Sequence, residues 1–228
     1  MKNVQKILHT QHTPRRRNRE SERGNVLFYI LIAVVLFAAL SYTVGNMMRG
    51  GNAEMIAEEN ASLYAGEILD YGRVMRQATQ DMRISNGCDD AQISFTRESG
   101  DAYEHTSEDV NCQLFNPDGG DVNYTPPHES ITASDWVFTG TNIADGVGTT
   151  APDLIALLPD LTLPVCNAIN ERTSITALGA DADIDFTPFT GTYAGTQTLD
   201  AADSHTHGCL NYDNSGDNYF FYQVLISR

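Results

Sequence analysis

Hydrophobic positions are arranged along this chain in three ways, and each arrangement predicts a different kind of element. From Val26 to Met48 they are nearly continuous, and no charged residue intervenes. Twelve of the nineteen positions from Val26 to Val44 are Val, Leu, Ile or Phe. At about 1.5 Å per residue this run is long enough to cross a hydrocarbon core of about 30 Å. Those side chains favour insertion by about 5 kcal/mol, more than Ser41, Tyr42 and Thr43 oppose it. Further on, Tyr64, Ile68, Tyr71, Met75, Ala78 and Met82 recur at alternating steps of four and three, which is one face of a helix. Arg73, Arg76, Gln77, Gln80, Asp81 and Arg83 fall largely on the other faces. Asn86 and Gly87 supply the left-handed residues expected just past a helix end. The two patterns predict a helix over 26–84, about 85–90 Å long. Gly45, Gly50 and Gly51 each cost it about 1 kcal/mol relative to Ala, so a kink or frayed turn is expected near 45–52.

Past residue 88 the pattern changes again. Thr, Ser, Asp, Asn and Gly dominate and apolar runs are short. Strands are expected at 91–96, 136–139, 154–158, 174–178, 184–189 and 219–226, with 154–158 equally readable as a short helix after Pro152. The last is the strongest strand signal in the chain and suits a central strand that ties the C-terminus into a sheet. Turn-rich stretches separate these runs at 97–110, 116–135, 140–153 and 190–218. The expected fold class is α+β: a long N-terminal transmembrane and stem helix followed by a small, loop-rich, disulfide-containing β-sheet head domain.

Charge sharpens the division. Residues 1–24 hold seven Lys or Arg against Glu20 and Glu22, whereas the other 204 residues hold seven Arg, no Lys and 28 Asp or Glu. An acidic domain repels phosphate backbones, so nucleic acid is not an expected partner. Arg15, Arg16, Arg17, Arg19 and Arg23 precede the apolar run and only Arg49 lies just after it. Such flanks keep the N-terminus in the cytoplasm and export the C-terminal part, predicting a single-pass inner-membrane protein with a periplasmic or extracellular domain. Cys88, Cys112, Cys166 and Cys209 all lie on the exported side, and none forms a C-x-x-C pair. That argues against a zinc ribbon or a thioredoxin-like motif. An even count in an oxidising compartment reads as two disulfides, with four reduced thiols as the alternative. Of three pairings, Cys88–Cys112 with Cys166–Cys209 closes the shortest loops and is preferred. Each bond is expected to stabilise the fold by about 2–4 kcal/mol.

Three export routes fit the leader. A cleaved signal peptide would use Ala39-Leu40-Ser41 as its small-x-small site. An anchor would stay uncleaved. In the third route, cleavage precedes the apolar run. The junction from Glu22 and Arg23 through Gly24, Asn25, Val26, Leu27 and Phe28 to Tyr29, Ile30 and Leu31 resembles the start of type IV pilins and pseudopilins. In that family a short basic leader ends in Gly, an apolar helix follows at once, and an amphipathic extension carries a β-rich head. The resemblance implies processing between Gly24 and Asn25, and it implies four segments: a leader at 1–24, a transmembrane helix at 25–48, a stem helix at 49–87 and a head at 88–228. Most members carry Glu at the fifth mature position and Phe or Met at the first. Here these are Tyr29 and Asn25; a missing Glu is known in some minor pseudopilins that sit at a filament tip. Implied partners are a prepilin peptidase, sibling pilin-like subunits, an inner-membrane assembly platform and the lipid bilayer. The alternative is an uncleaved, membrane-anchored periplasmic or surface binding module.

Candidate chemistry in the head is sparse. No nucleophile elbow, phosphate loop or H-E-x-x-H motif occurs, so no catalytic residue is named and an enzyme is not expected. Asp213, Ser215 and Asp217 cluster oxygen donors in an Asp/Asn/Gly turn, the chemistry that calcium requires. The expected reading is a solvated turn with no cofactor; because some pseudopilins hold calcium in a C-terminal loop, a calcium site is the alternative. The alternation of Asp181, Asp183 and Asp185 reads as the exposed face of a strand. His205, His207 and Cys209 offer transition-metal ligand types, a set that a disulfide at Cys209 would break. Trp136, the only Trp, reads as core.

Overall fold

The computed structural model describes residues 23–50, 52–181, 183–200, 204–212 and 216–228. The chain divides after Ala53 into two compact units.

The first unit contains helix α1 (Arg23–Gly50). Its side chains from Val26 to Gly45 are exposed on every side, with Phe37 at 74% and Tyr42 at 70%. By length and composition, Val26–Gly45 can cross a membrane. Gly45 stays helical and meets open space. α1 is followed by α2 (Asn52–Ser85), and Gly51, where the glycine-rich window ends, lies outside the described residues.

The second unit combines α2 from Glu54 onward with the head. The α2 face predicted to be apolar is the one that is used. Ala61, Ala65, Ile68, Leu69, Met75 and Met82 are buried, and Tyr64, Tyr71 and Ala78 pack along their flank. The helix stops where Gly87 takes a φ of 71°, which turns the chain so that the Asn86 and Cys88 N–H groups both donate to Met82 O.

The head is built on a four-stranded antiparallel sheet of β1 (Val137–Thr139), β3 (Leu154–Leu161), β5 (His207–Asn211) and β6 (Tyr219–Ile226), ordered β1-β3-β6-β5. Between these strands lie β2 (Asn142–Ala144), α3 (Leu163–Thr173) and β4 (Gln197–Leu199), with β2 and β4 paired in parallel. All eight residues of β6 are buried, because both faces of the sheet are covered. Leu154, Ala156, Leu158, Phe221 and Leu225 join the helices in one core. Ile155, Leu157, Phe220, Tyr222 and Val224 form a second core with Ala144, Leu199 and Leu210. That is why β6 reads as a near-continuous apolar run, broken only by Gln223, rather than an alternating one. Gly72 lets α2 approach closely: a Cβ there would sit 3.3 Å from the Phe221 ring. Pro159, which cannot donate to a ladder, falls in the register shift between Leu158 and Leu161.

Three expected strands take other forms. Residues 91–96 begin in a 3-10 turn at Asp90–Gln92, and Ser94 makes only an isolated bridge to Gln113. Residues 174–178 fail as a strand because Ser174, at φ 63°, is the left-handed cap of α3, and Ile175 N–H closes the helix on Asn170 O. Residues 184–189 run without a ladder. Asn142 grips the main chain of Asp185 there, donating from Nδ2 to Asp185 O at 2.7 Å and accepting from Asp185 N at 2.9 Å. The ambiguous run at 154–158 is a strand and continues to Leu161.

The disulfides join Cys88 to Cys112 and Cys166 to Cys209. The first ties the end of α2 to the 3-10 turn Val110–Cys112. The second fixes α3 to the edge strand β5. One helical turn after Cys166, Asn170 donates to Cys209 O and accepts from Cys209 N, both at 2.9 Å. The amide thus stands where a further strand would pair. Cys209 is fully buried, so deleting the amide strands two backbone groups away from water. Asn170→Ala is therefore expected to lower stability by about 2–4 kcal/mol, read as a lower urea midpoint at unchanged slope. A loss below about 0.5 kcal/mol would contradict this role for the amide.

Candidate functional site

Among the described residues, the α1 surface is a long apolar surface that the chain itself leaves uncovered. Nothing polar interrupts its exposed side chains between Val26 and Leu40, apart from the Tyr29 hydroxyl. Thr43 turns its hydroxyl inward, donating to Leu40 O at 2.9 Å. Gly24 and Asn25, the residues of the expected processing site, lie in the first turn of this helix, and the basic leader before Arg23 lies outside the described residues.

In the head, several hollows border α2. One, about 250 Å³, lies between the helix and the 122–135 segment. Ile68, Tyr71, Trp136 and Leu158 form its walls, Pro126 and Pro127 its cover, and Glu67 is its charged member. Tyr71 pins the cover in place: its hydroxyl donates to Asn123 O at 3.2 Å and accepts from Thr125 N at 3.1 Å. Burial raises the Tyr71 pKa above the ordinary phenol value. The Tyr71 and Trp136 rings lie 5.5 Å apart, and Trp136 meets Phe221 edge-on at 5.9 Å. Trp136 is core, as expected, and it also faces this pocket.

A second hollow, about 650 Å³ and wide open, lies at the end of α2. Its charges are matched internally. Arg83 reaches Asp90 at 2.7 Å, Arg228 reaches the other oxygen of Asp90 at 3.9 Å, and the Arg228 guanidinium lies 4.0 Å over the Tyr193 ring.

The expected metal chemistry is only partly placed. Asp213 and Ser215 lie outside the described residues. Asp217 accepts from the Tyr219 hydroxyl at 3.4 Å. Among the described residues, no three His, Cys, Asp or Glu side chains gather to hold a metal ion. His207 is half-buried on β5 with its ring on the Thr206 hydroxyl. Burial, Arg73, Arg76 and His205 hold it below the ordinary imidazole pKa. Cys209 is consumed by its disulfide.

The acidic alternation needs a correction. Asp181 is buried rather than exposed, and it accepts from the Asp183 and Asp200 N–H groups at 3.3 and 3.0 Å. Asp185 accepts from both the hydroxyl and the N–H of Thr187, and that hydroxyl lowers its pKa. These carboxylates organise turns, as Asx motifs do, so period-two spacing was a misleading signal for a strand.

Sequence reasoning missed several polar anchors. Asn170 carries one usable signal, its helical spacing from Cys166. Asp153 carries none, since it simply precedes an apolar run. The Asp153 carboxylate accepts from Ala144 N and Arg228 N, each at 2.9 Å, clasping β2 to the end of β6. A third anchor joins two hydroxyls to one carboxylate: Ser94 and Thr96 both donate to Glu108 Oε2, at 2.5 and 2.8 Å.

Comparison with protein-family models, curated proteins and solved structures finds no match to this chain.

Burial raises the Asp153 pKa, outweighing the two N–H donors and the Arg228 charge. The folded state therefore holds this proton more tightly than the unfolded chain does. The resulting stability is fully present below the ordinary carboxylate pKa of about 4 and is lost as pH rises through the folded value. The cost of Asp153→Asn is accordingly expected to be largest near pH 4 and to shrink toward pH 7, measured by urea unfolding at each pH. A cost that grows over that interval would contradict burial as the dominant cause.

Proposed function

We propose that this chain is a structural subunit of the pilin-like or pseudopilin-like kind, stored in the inner membrane by α1 and built into a bacterial surface filament or secretion pseudopilus. The observation that carries the proposal is the uncovered apolar helix. α1 is exposed on all sides, whereas the apolar stripe of α2 is already consumed by the sheet in its own unit. Cover for α1 thus has to come from lipid or from sibling helices. The order of elements agrees: apolar helix, amphipathic helix, disulfide-bearing antiparallel sheet. The basic leader ending in Gly24 supports a cytoplasmic N-terminus and a prepilin peptidase as the processing partner, and the two disulfides support a periplasmic or extracellular head. Asn25 and Tyr29, in place of the common residues, favour a minor or tip subunit over the main building block.

A second reading rests on the apolar hollow beside α2. On that reading the chain remains uncleaved, and the head is an anchored binding module that never polymerises.

Mass spectrometry of the N-terminus, in bacterial membranes containing a prepilin peptidase, separates the two. Filament-type processing gives a chain beginning at Asn25, and Gly24→Leu abolishes the cleavage while leaving the protein in the membrane. An intact Met1 in both proteins overturns the proposal in favour of the anchored module. A chain beginning near Ser41 or Tyr42 overturns it in favour of a secreted domain.

A further inference from the structure

The hollow between α2 and the proline cover has the chemistry of a receptor for one type of side chain. Its walls are aromatic and aliphatic: Tyr71, Trp136, Ile68 and Leu158. Pro126 and Pro127 close it, and the Tyr71 hydroxyl holds their segment in position through Asn123 and Thr125. The shape is therefore set before anything binds, which lowers the ordering cost of binding. At about 250 Å³ the space is too small for a folded element or a large cofactor, and it suits one long side chain.

Charge then selects among long side chains. Glu67 is the charged member of the lining and is exposed on α2. It lies on a part of the chain with 28 acidic residues against seven Arg, a net charge that attracts cations at long range, while Arg97 is the charge acting on Tyr71 at the pocket wall. Aromatic faces beside a carboxylate favour an ammonium or guanidinium further. Lys and Arg are the side chains that place a methylene stem along apolar walls while keeping a cationic head at a polar rim.

We propose that this pocket docks a Lys or Arg side chain of a partner polypeptide, its stem between Tyr71, Trp136 and the two prolines and its cationic head at Glu67. The inference does not depend on filament formation. It applies to the exported head whether or not the leader is cleaved.

Trp136 makes the test direct, because the only Trp in the chain lines the pocket. The full-length oxidised protein in a non-ionic detergent is titrated with Nα-acetyl-lysine amide and Nα-acetyl-arginine amide while Trp emission is followed. Nα-acetyl-norleucine amide serves as the uncharged counterpart. A saturable change at millimolar concentration is expected with at least one cationic probe, weakened by salt and at least threefold weaker with norleucine. Glu67→Gln, a surface change, should weaken that cationic probe by roughly threefold to tenfold and leave norleucine unaffected. Two results would overturn the proposal. One is norleucine binding as well as the cations with Glu67→Gln silent, which would mean an apolar pocket without selection for charge. The other is no saturable response to either cation up to 50-fold above about 1 mM, which would mean no site.

Discussion

The head depends on the seating of α2 across the central strand β6. The contact is tightest where the helix has no side chain, at Gly72 over the Phe221 ring. Around that point Ile68, Met75 and Met82 reach into the same core as Leu154, Leu158 and Leu225. Polar bonds fix the helix along its length. Gln80 donates to Leu225 O at 2.7 Å, and Arg76 donates to the Thr206 hydroxyl at 3.0 Å. Burial on this scale is the main favourable contribution to folding. A β6 left bare on that face would expose alternate residues of its most apolar run, so strand and helix require each other.

A loop-rich domain of this size must also satisfy backbone groups that no ladder reaches. Here the answer is a small set of buried side chains that bind main chain on two sides. Asn170 pairs with Cys209, Asn142 pairs with Asp185, and Asp153 accepts from both Ala144 and Arg228. Cys166 and Asn170 act on the same residue, one through a covalent bond and the other through hydrogen bonds, and together they close the outer edge of β5. The disulfides add to this by restricting the unfolded chain over separations of 24 and 43 residues.

The parts of the fold legible in the sequence are those governed by a strong local period. The continuous run of α1, the stripe of α2 and the apolar β6 each announce their element, and β6 is the central strand that its composition suggests. The left-handed turn at Gly87 was equally visible. What escaped was set by tertiary partners. α3 is short and starts two residues after β3 ends, so no separate helical period announces it. β2 and β4 are three residues each, and they exist because the second core needs a lid. Residues 184–189 look like a strand yet receive a side-chain amide where a strand would receive a neighbour. The same limit applies to the site. The uncovered apolar helix follows from composition, but the pocket beside Tyr71 joins residues from Glu67 to Leu158, and no local pattern reports it.

These elements give α1 and the head different tasks. Side chains of α1 are left for an environment outside the chain, while the head completes its own core and anchors its own edges. That division requires α2 to be an integral part of the head rather than a free stalk. Hydrogen exchange on the full-length oxidised protein in detergent tests this most directly, by comparing the amides of residues 61–82 with those of β6. If α2 is seated on β6, both segments open with the same free energy, and Gly72→Leu accelerates both together. If residues 61–82 exchange quickly as an isolated helix while β6 stays protected, the helix is not seated there and the account of the head is wrong.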